Sequence, residues 1–394
     1  MVMKSMLRPL QKPQPLFTIY GPFTHGGHYW RDEYLLEHWD RRNQPVVYRD
    51  EVYHSYKLLR RLGSWCWLTR HPHTNNFLAV KFLPRDGNNE LEMSRYVAKN
   101  CSSPFVTKIC DDFSIPHRLS ETGQPLFKDV AFQAIVYPAA GICVGRTADP
   151  LENHDRNPNI PFTLKRKQRY IGQVVEGLAA LHDIGVVHAD LHPDNLTLAL
   201  PGEADMTRLL ATPPLEDDVR LKDGSMPPPW MPQRVSEPED IGFTTSYVRI
   251  IDFGYSFIPK AGVVYTANDF PRGTPPPPEL LRGDKVTDQP FKADSWYLGQ
   301  LMHFILTGGP NIFRRPLGCN DEGLLDEYRL SLDEVRTGQD EGLNKLPQET
   351  RNLYVPLILL LLNMDPDKRA TAQQLSKDKR LVTIAHAVPA GKDD

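Results

Sequence analysis

At 394 residues the chain is long enough for one large two-lobed domain or two ordinary ones, and 40% hydrophobic against 24% charged residues describes a soluble, globular protein. A net charge of -3 excludes a bulk basic surface for nucleic acid or a membrane. The five cysteines (Cys66, Cys101, Cys110, Cys143, Cys319) are odd in number and lack C-x-x-C spacing, which argues against a disulfide framework or zinc site and for an intracellular, reducing compartment such as cytoplasm or nucleus. Met1 to Pro15 holds basic residues without an apolar stretch, so no signal peptide is expected. The longest apolar run, Leu357 to Leu362, reads as a buried helix and falls far short of the roughly 20 residues needed to span a bilayer.

In chain order, residues 1–55 carry prolines and a Gly26-Gly27 pair without periodicity, and predict an irregular arm. Strand-like segments begin at Tyr56. Phe77–Phe82 (FLAVKF) is a strand whose alternation puts Phe77, Ala79 and Lys81 on one face. Glu90 to Ala98 predicts a short helix, and residues 163–183 an amphipathic one with Ile171, Val174, Val175, Leu178 and Leu181 on its apolar face. Residues 201–247 hold eight prolines and nine acidic residues against four basic ones, and predict a loop insertion that buries little apolar area. Val248 to Ile251 is a buried strand, and Ala293 to Leu306 an apolar helix stopped by Gly308-Gly309. Leu353 to Leu362 predicts a helix that tolerates Pro356 only in its first turn. A short helix over Thr371 to Leu375 and a frayed tail at 387–394 close the chain. Strands first and helices later give an α+β fold, with a β-rich N-terminal part and a mainly helical C-terminal part.

The chemistry concentrates in His188-Ala189-Asp190-Leu191-His192-Pro193-Asp194-Asn195, followed after a strand by Asp252-Phe253-Gly254. Phosphoryl transfer is mostly positioning and charge neutralisation. One carboxylate must accept the proton of the substrate hydroxyl. An Asn and a second carboxylate must hold magnesium under the phosphates. These two segments supply all three.

With these motifs the chain resembles the eukaryotic protein kinases over roughly Tyr56 to His386. The resemblance implies a bilobal fold, with a small β-rich N-lobe at about 56–137 and a larger helical C-lobe at about 141–386. Ala79-Val80-Lys81 is similar to the strand whose lysine holds the α- and β-phosphates, with Glu90 as its helix partner and Glu92 as the alternative two residues on. Pro277-Pro278-Glu279 resembles the motif that closes the activation segment. Asp294-Ser295-Trp296-Tyr297-Leu298-Gly299 resembles the opening of the central helix, and Asp365-Pro366-Asp367-Lys368-Arg369 the segment whose arginine pairs with Glu279. His188, Phe253, Gly254, Glu279, Asp294 and Arg369 are thereby implied to be structural. Ile135-Val136-Tyr137-Pro138-Ala139-Ala140-Gly141 resembles the hinge, which implies adenine accepting from the Ala140 N–H and donating to the Pro138 carbonyl, with Leu62, Gly63, Ala79, Lys81 and Tyr137 lining the ATP site.

Within the kinases the chain resembles fungal members of the serine/arginine-rich protein kinase group. The insertion lies where that group carries its spacer, and Leu62-Gly63-Ser64-Trp65-Cys66-Trp67-Leu68 is similar to a shortened form of its glycine-rich segment. The Asp223-Gly224 and Pro227 to Pro232 cluster before VRIIDFGYSF is similar too. The resemblance implies an ATP- and Mg2+-dependent serine/threonine kinase, acting as a monomer on a protein hydroxyl in a basic or RS-rich context, with no direct nucleic-acid or membrane partner. Asp190 is the implied base, Asn195 and Asp252 the metal ligands, and Lys81, Glu90 and His192 its catalytic companions.

The chain departs from the pattern at five places, the first being Thr274 to Glu279, shorter than the family's stretch and nearly all proline. Only Gly63 remains of the glycine-rich loop. His192 stands where the family has a lysine, and with an ordinary pKa of about 6.5 it is expected to be mostly neutral at pH 7. Ser94 replaces a leucine of the apolar spine. Ala189 replaces an arginine that pairs with an activation-loop phosphate, so activity is expected to be independent of phosphorylation. A catalytically weak pseudokinase scaffold is one alternative, and a small-molecule kinase, suggested by the D-L-H-P-x-N wording, is another.

Overall fold

A computed structural model of the chain describes residues 17–20 and, between 45 and 387, all except 64, 85–87, 116–131, 149–161, 215, 222–223, 228–231, 237, 272–273, 283–285, 310 and 314–319. The N-terminal part is an antiparallel five-stranded sheet. Its strands are β1 (Arg60–Arg61), β2 (Cys66–Arg70), β3 (Phe77–Phe82), β4 (Asp111–Ile115) and β5 (Phe132–Pro138), in the spatial order β1-β2-β3-β5-β4. Alternation along β3 divides its side chains. Leu78, Val80 and Phe82 join Trp67, Phe113, Phe132 and Val136 in one core, while Phe77, Ala79 and Lys81 face the other way. Helix α1 (Asn88–Asn100) packs on that second face through Leu91, against Leu83 and Ile135.

The C-terminal part is built around α2 (Leu164–Asp183), capped by the Thr163 side chain, which accepts from the Arg166 N–H. Its buried stripe of Tyr170, Ile171, Val174, Val175, Leu178 and Leu181 lies in one large core with the later helices. Strands β6 (Leu196–Ala199) and β7 (Thr244–Ile250) pair beside it. The insertion between them contains helix α3 (Glu203–Ala211). Further on come α4 (Pro290–Thr307), α5 (Asp321–Thr337) and α6 (Gln348–Leu361). Helix α4 ends on Gly308 in the left-handed conformation, whose N–H donates to the Phe304 carbonyl. Among the described residues no helix is long and apolar enough to cross a membrane.

Within the N-terminal arm, Phe17–Tyr20 is a strand, and Val52–Tyr53 pairs with Tyr56–Lys57. Two sequence expectations need correction. The insertion is not an unpacked loop. Its strand Glu216–Leu221 pairs with Phe17–Tyr20 on one side and Arg234–Ser236 on the other, and Met206, Val219 and Ile241 are buried. These apolar residues are too sparse among prolines and carboxylates to show periodicity. They nonetheless suffice once the N-terminal sheet supplies the opposite surface. Pro356 is interior to α6, not in its first turn. Its missing N–H would have served the carbonyl of Asn352, which is exposed and can be hydrated instead.

Candidate active site

The centre of the site is one lysine between two carboxylates. Lys81 Nζ donates to Glu90 Oε1 at 2.7 Å and to Asp252 Oδ2 at 3.1 Å. Strand β3 presents Lys81 on its second face, and α1 presents Glu90 from its first turn. Burial opposes the lysine charge, but Asp252 and Glu90 outweigh it and hold Lys81 well above its ordinary range. Burial pushes the Glu90 carboxyl up despite Lys81. It works the same way on Asp252, where Lys81 and the Gly254 N–H prevail and lower it. The trio therefore carries excess negative charge, which a cation at Asp252 would offset.

Asp252 has φ of 68°, a left-handed conformation uncommon for a residue with a side chain. This turn sends Phe253 into the core, fully buried at 5.8 Å from the His188 ring, and leaves the carboxylate on the opposite side, bound to Lys81. The Gly254 N–H donates to Asp252 Oδ1 at 3.1 Å. Asn89, unmarked in the sequence, ties the helix to this turn by donating from Nδ2 to the carbonyls of Gly254 and Ser256.

Asp190 is held by Asn195, whose Nδ2 donates to its carbonyl at 2.9 Å and its Oδ2 at 3.1 Å. With the Asn195 amide N–H groups committed there, Oδ1 is the atom left to bind a metal. The loop that carries Asp190 is fixed from below by Asp294, which is fully buried. Its Oδ2 accepts from the His188 N–H at 2.7 Å and its Oδ1 from the Ala189 N–H at 2.8 Å. His182 Nε2 lies 2.9 Å from the same Oδ2. This second histidine was not singled out in the sequence, because its role depends on α2 crossing α4. Arg369 is brought against Glu279 in a bidentate pair, both bonds at 2.8 Å, and stacks 5.2 Å from the Trp296 ring.

His192 corrects a sequence expectation. Its Nδ1 accepts from the Asp194 N–H at 3.2 Å, and its Nε2 lies 3.5 Å from Asp190 Oδ1. Burial lowers its basicity, but the hydrogen bond and charge of Asp190, with Asp194 and Asp252 behind, raise its pKa above the ordinary value. The carboxylates around His192 thus work against its burial and favour the charged form more than solvent would. Ser94 is likewise not a bare polar gap in the core, since its hydroxyl bonds the Tyr137 hydroxyl at 2.9 Å. Two hydroxyls far apart in the sequence thus satisfy each other.

In the hinge, Ala139 N–H donates to the Phe77 carbonyl and Gly141 N–H to that of Leu198, while among the described residues nothing accepts from the Ala140 N–H. Pro138 ends β5, and Ala79 pairs with Tyr137 across the β3–β5 ladder. Gly141 has a steric reason: a Cβ there would lie 2.7 Å from the Ala199 carbonyl oxygen. Above the lysine, Leu62 and Gly63 both donate to the Cys66 carbonyl, at 2.8 and 3.3 Å, closing a short turn. Cys66 pairs in register with Lys81. Burial pushes the thiols of Cys66 and Cys143 up to about 12 and 11, so both stay protonated near neutrality.

After Asp252-Phe253-Gly254 the chain is held by side-chain contacts. Phe257 stacks on Tyr265 at 4.5 Å, and the Tyr265 hydroxyl accepts from the Lys260 N–H at 2.8 Å. Asp269 accepts from the N–H and hydroxyl of Thr266, and Phe270 is buried.

No protein-family model matches the chain. Calcium/calmodulin-dependent protein kinase type 1B of Rattus norvegicus is 26% identical over 217 residues, covering 54% of this chain and 46% of the relative. Serine/threonine-protein kinase H1 of Mus musculus is 23% identical over 226 residues, 57% of this chain and 40% of its own. A probable inactive protein kinase of Arabidopsis thaliana is 26% identical over 207 residues, 49% of this chain and 45% of its own. The chain thus spans less than half the length of these relatives. These likenesses are to protein kinases, one of them named as probably inactive.

Proposed function

We propose that the chain is an ATP- and Mg2+-dependent serine/threonine protein kinase. The observation that carries this reading is Lys81 engaged with Glu90 and Asp252 at once, while Phe253 is buried and Asp190 is held by Asn195. In this arrangement Lys81 is fixed to meet the α- and β-phosphates, and Asp190, mostly buried with its side chain 15% exposed, can accept a proton from an incoming hydroxyl. Asp252 and the free Oδ1 of Asn195 fit a magnesium ion, which takes one or two protein oxygens and completes its shell with phosphates and water. When bound, the ion supplies charge neutralisation between the phosphates. The Ala140 N–H, unpaired among the described residues, and the Pro138 carbonyl are the adenine-reading groups.

The position of the insertion, between β6 and β7, supports the serine/arginine-rich protein kinase group and hence a protein substrate with basic or RS-rich flanks. The ATP requirement and, among the described residues, the free thiols of Cys66, Cys101, Cys110 and Cys143 agree with an intracellular site. The short turn at Gly63 favours a second reading, a pseudokinase scaffold that binds nucleotide with little turnover.

Thermal shift with ATP, with and without Mg2+, followed by phosphotransfer to a basic serine/threonine substrate, decides between them. The expected result is a shift with Mg-ATP only, and turnover that Asp190→Asn lowers by roughly two to four orders of magnitude while the shift survives. A shift without turnover in the unmodified chain would leave the scaffold. No shift at millimolar ATP would reject both.

A further inference from the structure

The edge strand β1 is a doublet of arginines, Arg60–Arg61, and both are almost completely buried. Two buried arginines at a sheet edge need partners, and the insertion supplies them. Arg60 Nη2 donates to the carbonyls of Leu209, Leu210 and Thr212 at the C-terminal end of α3, where the helix dipole favours a cation. Its Nε lies 3.3 Å from Glu239. The Arg61 carbonyl accepts from the Glu239 N–H at 2.8 Å, so the insertion also occupies the free edge of the sheet.

The Arg61 side chain does something more specific. Its Nη1 donates to the Ser236 carbonyl at 2.9 Å and its Nε to the Gly63 carbonyl at 3.1 Å. One planar guanidinium therefore joins the insertion backbone to the backbone of the single glycine that remains above the cleft. Gly63 is one hydrogen bond from Cys66, and Cys66 faces Lys81 across the β2–β3 pairing. The same insertion also reaches the hinge, since Ala139 lies in one apolar cluster with Met206, Ile241, Leu68 and Phe77.

We infer that the insertion is a built-in brace for the nucleotide roof, with Arg61 as the positioning residue that sets the Gly63 backbone over the phosphates. A roof this short makes few ordering contacts of its own. Fixing it from outside removes the conformational entropy that nucleotide binding would otherwise have to take up. This deepens the proposed function and rests on its nucleotide site.

The test compares Arg61→Ala and Arg61→Lys with the unmodified full chain, by calorimetry with Mg-ATP and with adenosine. Adenosine lacks the phosphates that the Gly63 backbone would cover. For Arg61→Ala the expected result is about a tenfold weaker Mg-ATP affinity, the size of one lost charge-assisted hydrogen bond, with adenosine affinity held within about twofold. Arg61→Lys keeps the cation but not the fork, and should fall between. Equal losses for the two ligands, or unchanged affinity for both, would overturn the brace. Hydrogen exchange at the Gly63 amide supplies a readout independent of nucleotide. Faster exchange in either variant is expected, and unchanged exchange counts against the inference. Failure of the unmodified chain to bind ATP would instead reject the nucleotide reading, while the exchange measurement still decides whether Arg61 orders Gly63.

Discussion

The floor and the roof of the cleft are built by opposite strategies. On the floor, Asp190, Asn195, His188 and Asp294 are joined by hydrogen bonds within one loop and one buried helix start. Over it, Gly63 hangs on a short turn and takes its order from Arg61 and the insertion, about 175 residues away in sequence. A self-supported floor tolerates little change, because each partner left behind would be a buried, unsatisfied polar group. A roof supported from outside can lose residues locally if something distant replaces their contacts.

The largest expected effect comes from cutting the floor's supporting ion pair. Arg369 is fully buried, with its guanidinium on Glu279, the Asn363 and Lys292 carbonyls and the Trp296 face. Arg369→Ala leaves the mostly buried Glu279 carboxylate without its partner, and should cost about 3–5 kcal/mol in denaturant unfolding. A loss below about 1 kcal/mol would mean water replaces the pair and the floor is not self-supported.

The roof makes the converse prediction. Met206 of α3 is fully buried beside Leu68, Phe77 and Ala139. Met206→Ala should cost about 2 kcal/mol or more. It should also weaken Mg-ATP binding, which a mutation of similar cost far from the cleft would not do. If stability hardly changes, the insertion is as loosely packed as its composition suggests.

That outcome would restore the sequence expectation, and the contrast explains what the sequence could show. Asp190 and Asn195 stand out in the sequence by their short spacing within one segment, Asp252 by the Asp-Phe-Gly that follows a strand, and Lys81 only through the resemblance to the kinase strand. The long helices were legible from their apolar period. Met206, Val219 and Ile241 were not, because isolated apolar residues among prolines have no period. Arg60 and Arg61 were not, because a basic doublet looks the same whether it meets solvent or a helix end. Ser94 looked like a defect until the fold placed Tyr137 beside it.

His192 sharpens the comparison, since it is the floor residue whose charge is adjustable. Its pKa is raised by Asp190 and Asp194 against the opposing effect of burial. A raised folded-state pKa contributes stability that is fully present below the unfolded value and lost as pH rises through the folded one. The cation beside the transferring phosphoryl group is lost over the same range. His192→Lys keeps that charge at all working pH. Turnover of the two proteins should be similar near pH 6 and diverge above neutrality, the lysine variant exceeding the parent by roughly tenfold at pH 8.5. Parallel pH profiles would show that the roof, not this charge, limits the reaction.

The smallest effect concerns the join between roof and floor. The Ser94 and Tyr137 hydroxyls meet at 2.9 Å between α1 and the end of β5, beside the Lys81–Glu90 pair. Burial pushes the Tyr137 phenol well above its ordinary range, so it stays neutral and can donate. Tyr137→Phe strands the buried Ser94 hydroxyl, and Ser94→Ala strands the phenol. Each should cost about 1 kcal/mol, and the double variant no more than either, giving a coupling of about 1 kcal/mol in a double-mutant cycle. Turnover carries the more telling signal. The hydrogen bond fixes α1, and α1 fixes Glu90, so both single variants should lower turnover in step with each other. Additive stability losses would show that the two hydroxyls do not depend on each other, and α1 would then be positioned by its other contacts, among them Leu91, Asn89, Tyr96 and the Lys81–Glu90 pair.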